Sequence, residues 1–227
     1  MKKIEDIGLV IQARLNSQRC PRKMIRPFAN TTLIDLCIEK IKRSKILPES
    51  NFFICVRDSE LIEKGSKHGV NIFERSEASI NSEAEKISEI FEWHDKLPFK
   101  YVIMVNACCT LLETETIDRF IQAYIESDKN GMFGVIEKRN YFWREDGEFL
   151  TPQEKINNTK TAVPIYEAAH CLYAGSMKDI GNDIWMGDFN NKGEVELFTV
   201  PEEETFDIDY EWQFNVAETL YKQKYRS

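Results

Sequence analysis

Between a short apolar run and an amphipathic segment, residues 12–23 read QARLNSQRCPRK and set Arg14, Arg19, Arg22 and Lys23 within ten positions. Four cations so close together form a local anion trap. Arginine can grip phosphate oxygens as a planar fork and lysine as a point charge. Asn16 and Ser17 suit a turn that aims backbone N–H groups at the same anion, and Pro21 stiffens the end of the loop. A charged loop of this kind could also be nothing more than a solvated basic turn, and its position in the fold has to decide. Far along the chain, FDIDYE at 206–211 puts Asp207 and Asp209 two residues apart. In extended backbone both carboxylates project to one side. Two hard oxygens on one side suit Mg²⁺ or Mn²⁺, which takes one or two carboxylates and completes its shell with phosphate oxygens and water. Asp209 could instead cap the helix that follows, or do both jobs.

These residues need a scaffold, and the hydrophobic pattern supplies one. IGLVIQA (7–13) reads as a strand and TTLIDLCIEKIKRS (31–44) as an amphipathic helix. NFFICV (51–56), VNIF (70–73) and YVIMVNA (101–107) read as further strands. Helices are expected from Asp58 or Ser59 to about His68, near 82–95 and near 115–127, then VELFTV (195–200) and a terminal helix carrying WQFNVAETLY. Strands that are apolar almost throughout and alternate with helices predict a doubly wound, mainly parallel α/β sheet covered on both faces. Ligands of such sheets bind beyond the carboxyl ends of the strands, where the basic loop lies. Regularity fails over about 137–167, which is expected to be an insertion in a single domain spanning 1–227, packed on another surface such as a second subunit.

Composition narrows the function classes. With 30 Lys plus Arg against 38 Asp plus Glu, the net charge of −8 argues against a nucleic-acid-coating surface. The opening MKKIEDIGLVIQA holds an apolar stretch too short for a signal peptide or membrane span, so a cytoplasmic protein is expected. The six cysteines show no CxxC spacing and sit in apolar runs, which predicts buried thiols. Neither GxxxxGK[ST] nor GxGxxG occurs, which disfavours P-loop NTPases and dinucleotide-binding oxidoreductases.

The segments IQARLNSQRCPRKMIRPF and FDIDYEWQFNVAE together resemble the signatures I-x-A-R-x-x-S-x-x-x-P-x-K and D-I-D-x-x-x-x-F-x-x-A-E of the acylneuraminate, or CMP-sialic acid-type, cytidylyltransferases. The resemblance implies a Rossmann-like nucleotidyltransferase fold of the GT-A type, with the inserted segment serving dimerisation. It implies transfer of CMP from CTP to an acidic nonulosonic or ulosonic sugar with release of pyrophosphate. On this pattern Ala13, Arg14, Asn16, Ser17 and Lys23 bind nucleotide, with Arg14, Lys23 and Asp209 catalytic. FERSEASINSEA (73–84) is similar to the family segment that approaches the cytosine ring, making Arg75 and Ala84 base-contact candidates. VNACCTLL (105–112) replaces the family's Leu-Gln-x-Thr-Ser-Pro-Leu run and places Asn106 at the Gln position. YEAAHCLYAGS (166–176) falls where the family lines its sugar pocket and holds Glu167, His170 and Tyr173. IQAR is equally reminiscent of spore-coat-polysaccharide-type nucleotidyltransferases, which keeps open a different nucleoside triphosphate with a sugar 1-phosphate, and also a non-catalytic nucleotide binder.

Overall fold

The computed structural model describes residues 1–80, 86–151 and 158–225. Its strands are β1 (Ile7–Gln12), β2 (Phe52–Val56), β3 (Asn71–Glu74), β4 (Tyr101–Val105), β5 (Gly131–Lys138), β6 (Ile165–Ser176) and β7 (Val195–Thr199). They form one sheet in the order β3-β2-β1-β4-β6-β5-β7. β1 lies parallel to both β2 and β4, β3 parallel to β2, and β7 parallel to β5, while β6 runs antiparallel to both of its neighbours. The helices are α1 (Leu33–Arg43), α2 (Ser59–His68), α3 (Glu77–Ile80), α4 (Ile87–Ile90), α5 (Thr114–Glu126), α6 (Met177–Gly181) and α7 (Glu211–Tyr225). Among the described residues, no helix is long and apolar enough to cross a membrane.

Strand periodicity sorts the side chains into two cores. Ile7, Leu9 and Ile11 of β1 face Leu33 and Ile38 of α1, Phe120 of α5 and Phe214 of α7. Val10, Val102 and Met104 face the other way, onto Phe91, Trp93 and Ile180. Each such large apolar side chain, fully buried, stabilises the fold by about 1.5–3 kcal/mol. This burial on both faces makes the sheet the rigid floor on which the strand-end loops stand.

The α/β sheet matches expectation, and two local features differ from it. Of the helix expected near 82–95, residues 82–85 lie outside the described residues, and the rest is broken into α4 and a 3-10 turn at Glu92–Asp95, with Lys86 and Phe91 outside helical geometry. The break lets Trp93 enter the core while its Nε1 donates to Gln12 Oε1 at 2.7 Å. The second is the β5–β6 antiparallel pair, which the alternating strand–helix pattern does not announce. Between the Phe133–Tyr173 and Val135–Ala168 pairings, Gly134 alone opposes residues 169–172. The resulting bulge carries His170 at φ 52. Left-handed backbone costs a side-chain-bearing residue roughly 1–2 kcal/mol, so the sheet must hold it in place.

Gly131, the first residue of β5, packs against the Met186–Gly187 turn. A Cβ there would lie 2.2 Å from the Met186 carbonyl oxygen and 2.6 Å from Gly187 Cα, both backbone atoms that cannot swing aside. Gly131→Ala should therefore lower stability by about 1–3 kcal/mol in urea unfolding, as overpacking does elsewhere. An unchanged midpoint would contradict this packing.

Candidate active site

The basic loop leaves β1 at Gln12 and is held at both ends. Near its start, Leu15 N–H donates to Asp58 Oδ2 at 3.0 Å, just before α2, and Arg22 N–H returns to the Leu15 carbonyl at 3.3 Å. Near its end, Arg26 makes a two-pronged bond to Glu211 of α7, at 2.7 and 2.6 Å, and lies over the Phe214 ring. Leu15, Cys20 and Met24 anchor the loop in the core, and most of the polar residues between them face a cleft of about 610 Å³. Ala13, Arg14, Asn16, Ser17, Arg19 and Lys23 line it from the loop, with Arg75, Asn106 and Asp209 opposite.

Lys23 is the floor of this cleft. It is only 8% exposed, its ammonium donates to the Ile208 carbonyl, and it stands 3.4 Å from Asp209 Oδ1. Burial drags its pKa down, but the Cys108 thiol with the Asp209 and Asp207 carboxylates outweighs that and leaves it above the ordinary lysine value. Arg19 takes the other oxygen of Asp209 at 2.9 Å and lies over the Tyr210 ring. That pair is open to water, where ion pairs contribute about 0–1 kcal/mol, so Arg19 is readily drawn to a different anion. Arg14 donates to the Ile80 carbonyl at 2.8 Å. Arg22, with φ 55, turns out of the cleft to Glu60 and is not among its lining residues. Three of the four clustered cations thus converge on the cleft.

Within the acidic segment Ile208 is fully buried, and the two aspartates that flank it border different hollows, Asp209 the basic cleft and Asp207 one beside Glu202 and Gln213. Asp207 forms a backbone bridge with Cys109. Its carboxyl is raised above the usual range, first by burial and then by Asp209, with Lys23, His170 and an Asn106 hydrogen bond opposing. Its Oδ1 is buried and has no hydrogen-bond partner among the described residues. A bare carboxylate oxygen beside a second carboxylate fits a hard divalent cation. Among the described residues, no group of three or more His, Cys, Asp or Glu is arranged to hold a metal.

The remaining candidates are distributed over several hollows. Arg75 is 3% exposed and its guanidinium is bound to Ser79 Oγ at 3.0 Å, to the Ser79 carbonyl and to the Ile90 carbonyl at 3.2 Å. Burial lowers its pKa to about 10. It therefore braces the cleft wall, with most of its donors already used. Ala84 lies outside the described residues. Asn106 borders the basic cleft, and its Nδ2 donates to the His170 carbonyl at 2.8 Å. His170 and Tyr173 line a separate apolar hollow of about 540 Å³ with Phe133, Trp185 and Phe189. Glu167 is on neither wall, because it pairs with Lys138 at 3.6 Å and borders a third hollow that it shares with Asp207.

Sequence reasoning passed over Gln12 and Cys108 as site residues. Gln12 carried a usable signal, a polar residue closing an otherwise apolar strand at its ligand-facing end. Cys108 borders the cleft beside Lys23, and burial pushes its thiol up to about 12, so it is a neutral neighbour at physiological pH.

The raised Asp207 carboxyl makes a stability prediction. A carboxyl whose folded pKa exceeds its unfolded value costs stability once pH passes the unfolded pKa, and the cost vanishes in acid. Asp207→Asn should melt at or above the wild-type temperature at pH 7, and the difference should fade as pH falls below about 4. A lower melting temperature at pH 7 would contradict the assigned environment.

Comparison with known proteins gives the family and the fold. Residues 9–179 match the family model described as Cytidylyltransferase. The chain is 25% identical over 233 residues to the pseudaminic acid cytidylyltransferase of Campylobacter jejuni, covering 96% of this chain and 97% of that protein. It is 26% identical over 129 residues to the spore coat polysaccharide biosynthesis protein SpsF of Bacillus subtilis, covering 54% of this chain and 51% of that protein. In fold it resembles the CMP:2-keto-3-deoxy-manno-octonic acid synthetase complexed with CTP, with a TM-score of 0.68 at 12% identity, covering 96% and 99% of the two chains. A family model spanning most of the chain, with the basic loop and its floor intact, makes this protein a member of the cytidylyltransferase family.

Proposed function

We propose that this cytidylyltransferase moves the cytidylyl group of CTP onto an acidic sugar of the nonulosonic or ulosonic class, releasing pyrophosphate. The observation that carries this reading is the contact of the buried Lys23 with the half-buried Asp209, which joins the basic loop to the acidic segment at one cleft. The curated Campylobacter relative acts on pseudaminic acid by its name, and it aligns over nearly the full length of both chains.

The reaction forms a bond between a sugar hydroxyl oxygen and the α-phosphorus, breaks the bond from that phosphorus to the pyrophosphate oxygen, and releases the hydroxyl proton, for which the Asp209 carboxylate is the acceptor at the cleft. Positioning and charge neutralisation supply most of the rate in such transfers. Lys23 and Arg14 spread the triphosphate charge, with Arg19 free to join them. Backbone N–H groups around Asn16 and Ser17 orient the phosphates. Asp207 and Asp209 would hold Mg²⁺ or Mn²⁺, which when bound offsets charge on the triphosphate and makes the attacking hydroxyl more acidic. Asn106 borders the cleft and bonds to the carbonyl of His170, which lines the apolar hollow, so an acceptor seated against His170 and Tyr173 would lie next to the cleft. A homodimer belongs to the same reading, supported by the exposed Trp143 in its cluster with Tyr141 and Phe149. So does a cytoplasmic location, supported by six free, buried cysteines.

Pyrophosphate release with pseudaminic acid should appear with CTP and Mg²⁺ and be at least about tenfold weaker with ATP, GTP or UTP. Lys23→Met should abolish it, since a buried cation facing the triphosphate is replaced by an apolar chain. Preference for another triphosphate with a sugar 1-phosphate acceptor would contradict the donor and acceptor named here.

A further inference from the structure

Lys40 lies far from any solvent that would welcome its charge. It sits in the last turn of α1, is 5% exposed, and its Nζ donates to the Thr110 carbonyl at 2.5 Å. Thr110 belongs to the turn that follows β4, and the acidic segment leans on that turn. Cys109 pairs with the Asp207 backbone, Cys108 N–H donates to Asn106 Oδ1 at 2.9 Å, and both Asn106 and Cys108 line the cleft. The far end is fixed where Glu113 N–H donates to Glu204 at 2.9 Å and Thr114 Oγ1 donates to the Lys40 carbonyl at 3.2 Å.

We propose that Lys40 is a positioning residue for the transfer reaction: its buried ammonium fixes the turn at 106–113 and, through the Cys109 pairing, the placement of Asp207. This rests on the role given to Asp207 above. The ammonium is an expensive way to hold a carbonyl. Burial brings its pKa down to about 8, against the opposing pull of Cys37 on its own helix and of Glu113 and Cys109 on the turn, while Arg43 adds to the lowering. Methionine fills nearly the same space without desolvating a charge, and apolar replacements of buried charges are often neutral or stabilising. The chain carries a costly group where its bond reaches the turn that bears the site, as expected when stability is exchanged for geometry.

The test compares wild type, Lys40→Met and Asp207→Asn with CTP, Mg²⁺ and pseudaminic acid, following kcat, both KM values and the melting temperature. Lys40→Met should lose at least about tenfold in kcat, a typical cost of sub-ångström misplacement, while melting no lower than wild type. Its advantage in melting temperature at pH 7 should narrow as pH rises from about 8 toward 10.4, because the wild-type penalty exists only while folded Lys40 is charged. Wild-type kcat in Lys40→Met, with Asp207→Asn inactive, overturns the role of Lys40 alone. Activity lost only in proportion to a lowered melting temperature also overturns it. Full turnover in Asp207→Asn overturns both this inference and the site on which it rests.

Discussion

An ammonium placed at the bottom of a cleft must find oxygen, and the bonds of Lys23 determine much of what surrounds it. Its hydrogen bond to the Ile208 carbonyl and its contact with Asp209 tie residues 185 positions apart into one wall. Bonds from charged donors are worth about 1.5–3 kcal/mol each, and losing one partner leaves a buried charge that costs more. The basic loop therefore cannot drift from the acidic segment without exposing that cost. Arg26 and Glu211 repeat the connection at the rim, where water weakens it, so the loop is firm at its floor and adaptable at its mouth. A site that must accept a highly charged substrate and release a charged product is well served by that gradient.

The antiparallel strand β6 gives the molecule its second surface. A parallel strand beside β4 would have presented only its carboxyl end to the cleft. β6 instead runs past the end of β4 and offers the stretch from His170 to Tyr173, with the bulge turning the His170 carbonyl to Asn106. Asn106 on the polar cleft is thus bonded to His170, which lines the aromatic hollow. Glu167, three residues before His170, falls on the opposite face of the strand and joins Lys138 and Glu202.

The parts of this arrangement legible in the sequence are those governed by short-range pattern. Arg14 to Lys23 stood out because four cations in ten residues have few uses. The 207/209 spacing suggests two carboxylates on one side, but in the fold Asp209 borders the basic cleft and Asp207 a different hollow. Which cations would enter the cleft was not legible, since Arg22 is turned away by a left-handed φ and by Glu60, a partner on another helix. The β6 bulge left no local mark, because it arises from Gly134 facing several residues across the sheet. The broken helix at 86–95 reflects the same limit: helical periodicity was present, but the fit of Trp93 into the core and its bond to Gln12 prevailed. Arg75 was found as a residue and not as an environment, for its buried partners Ser79 and Ile90 come together only in the folded chain.

The account turns on Lys23 and Asp209 acting as one unit that joins the two halves of the site. A double-mutant cycle on kcat/KM, using Lys23→Met, Asp209→Asn and the pair, measures that directly. The predicted result is strong non-additivity, with the double variant hardly worse than the more damaged single one and a coupling of at least about 1.5 kcal/mol. Losses that simply add, to within about 0.5 kcal/mol, would mean that the two residues serve separate sites and would contradict the account.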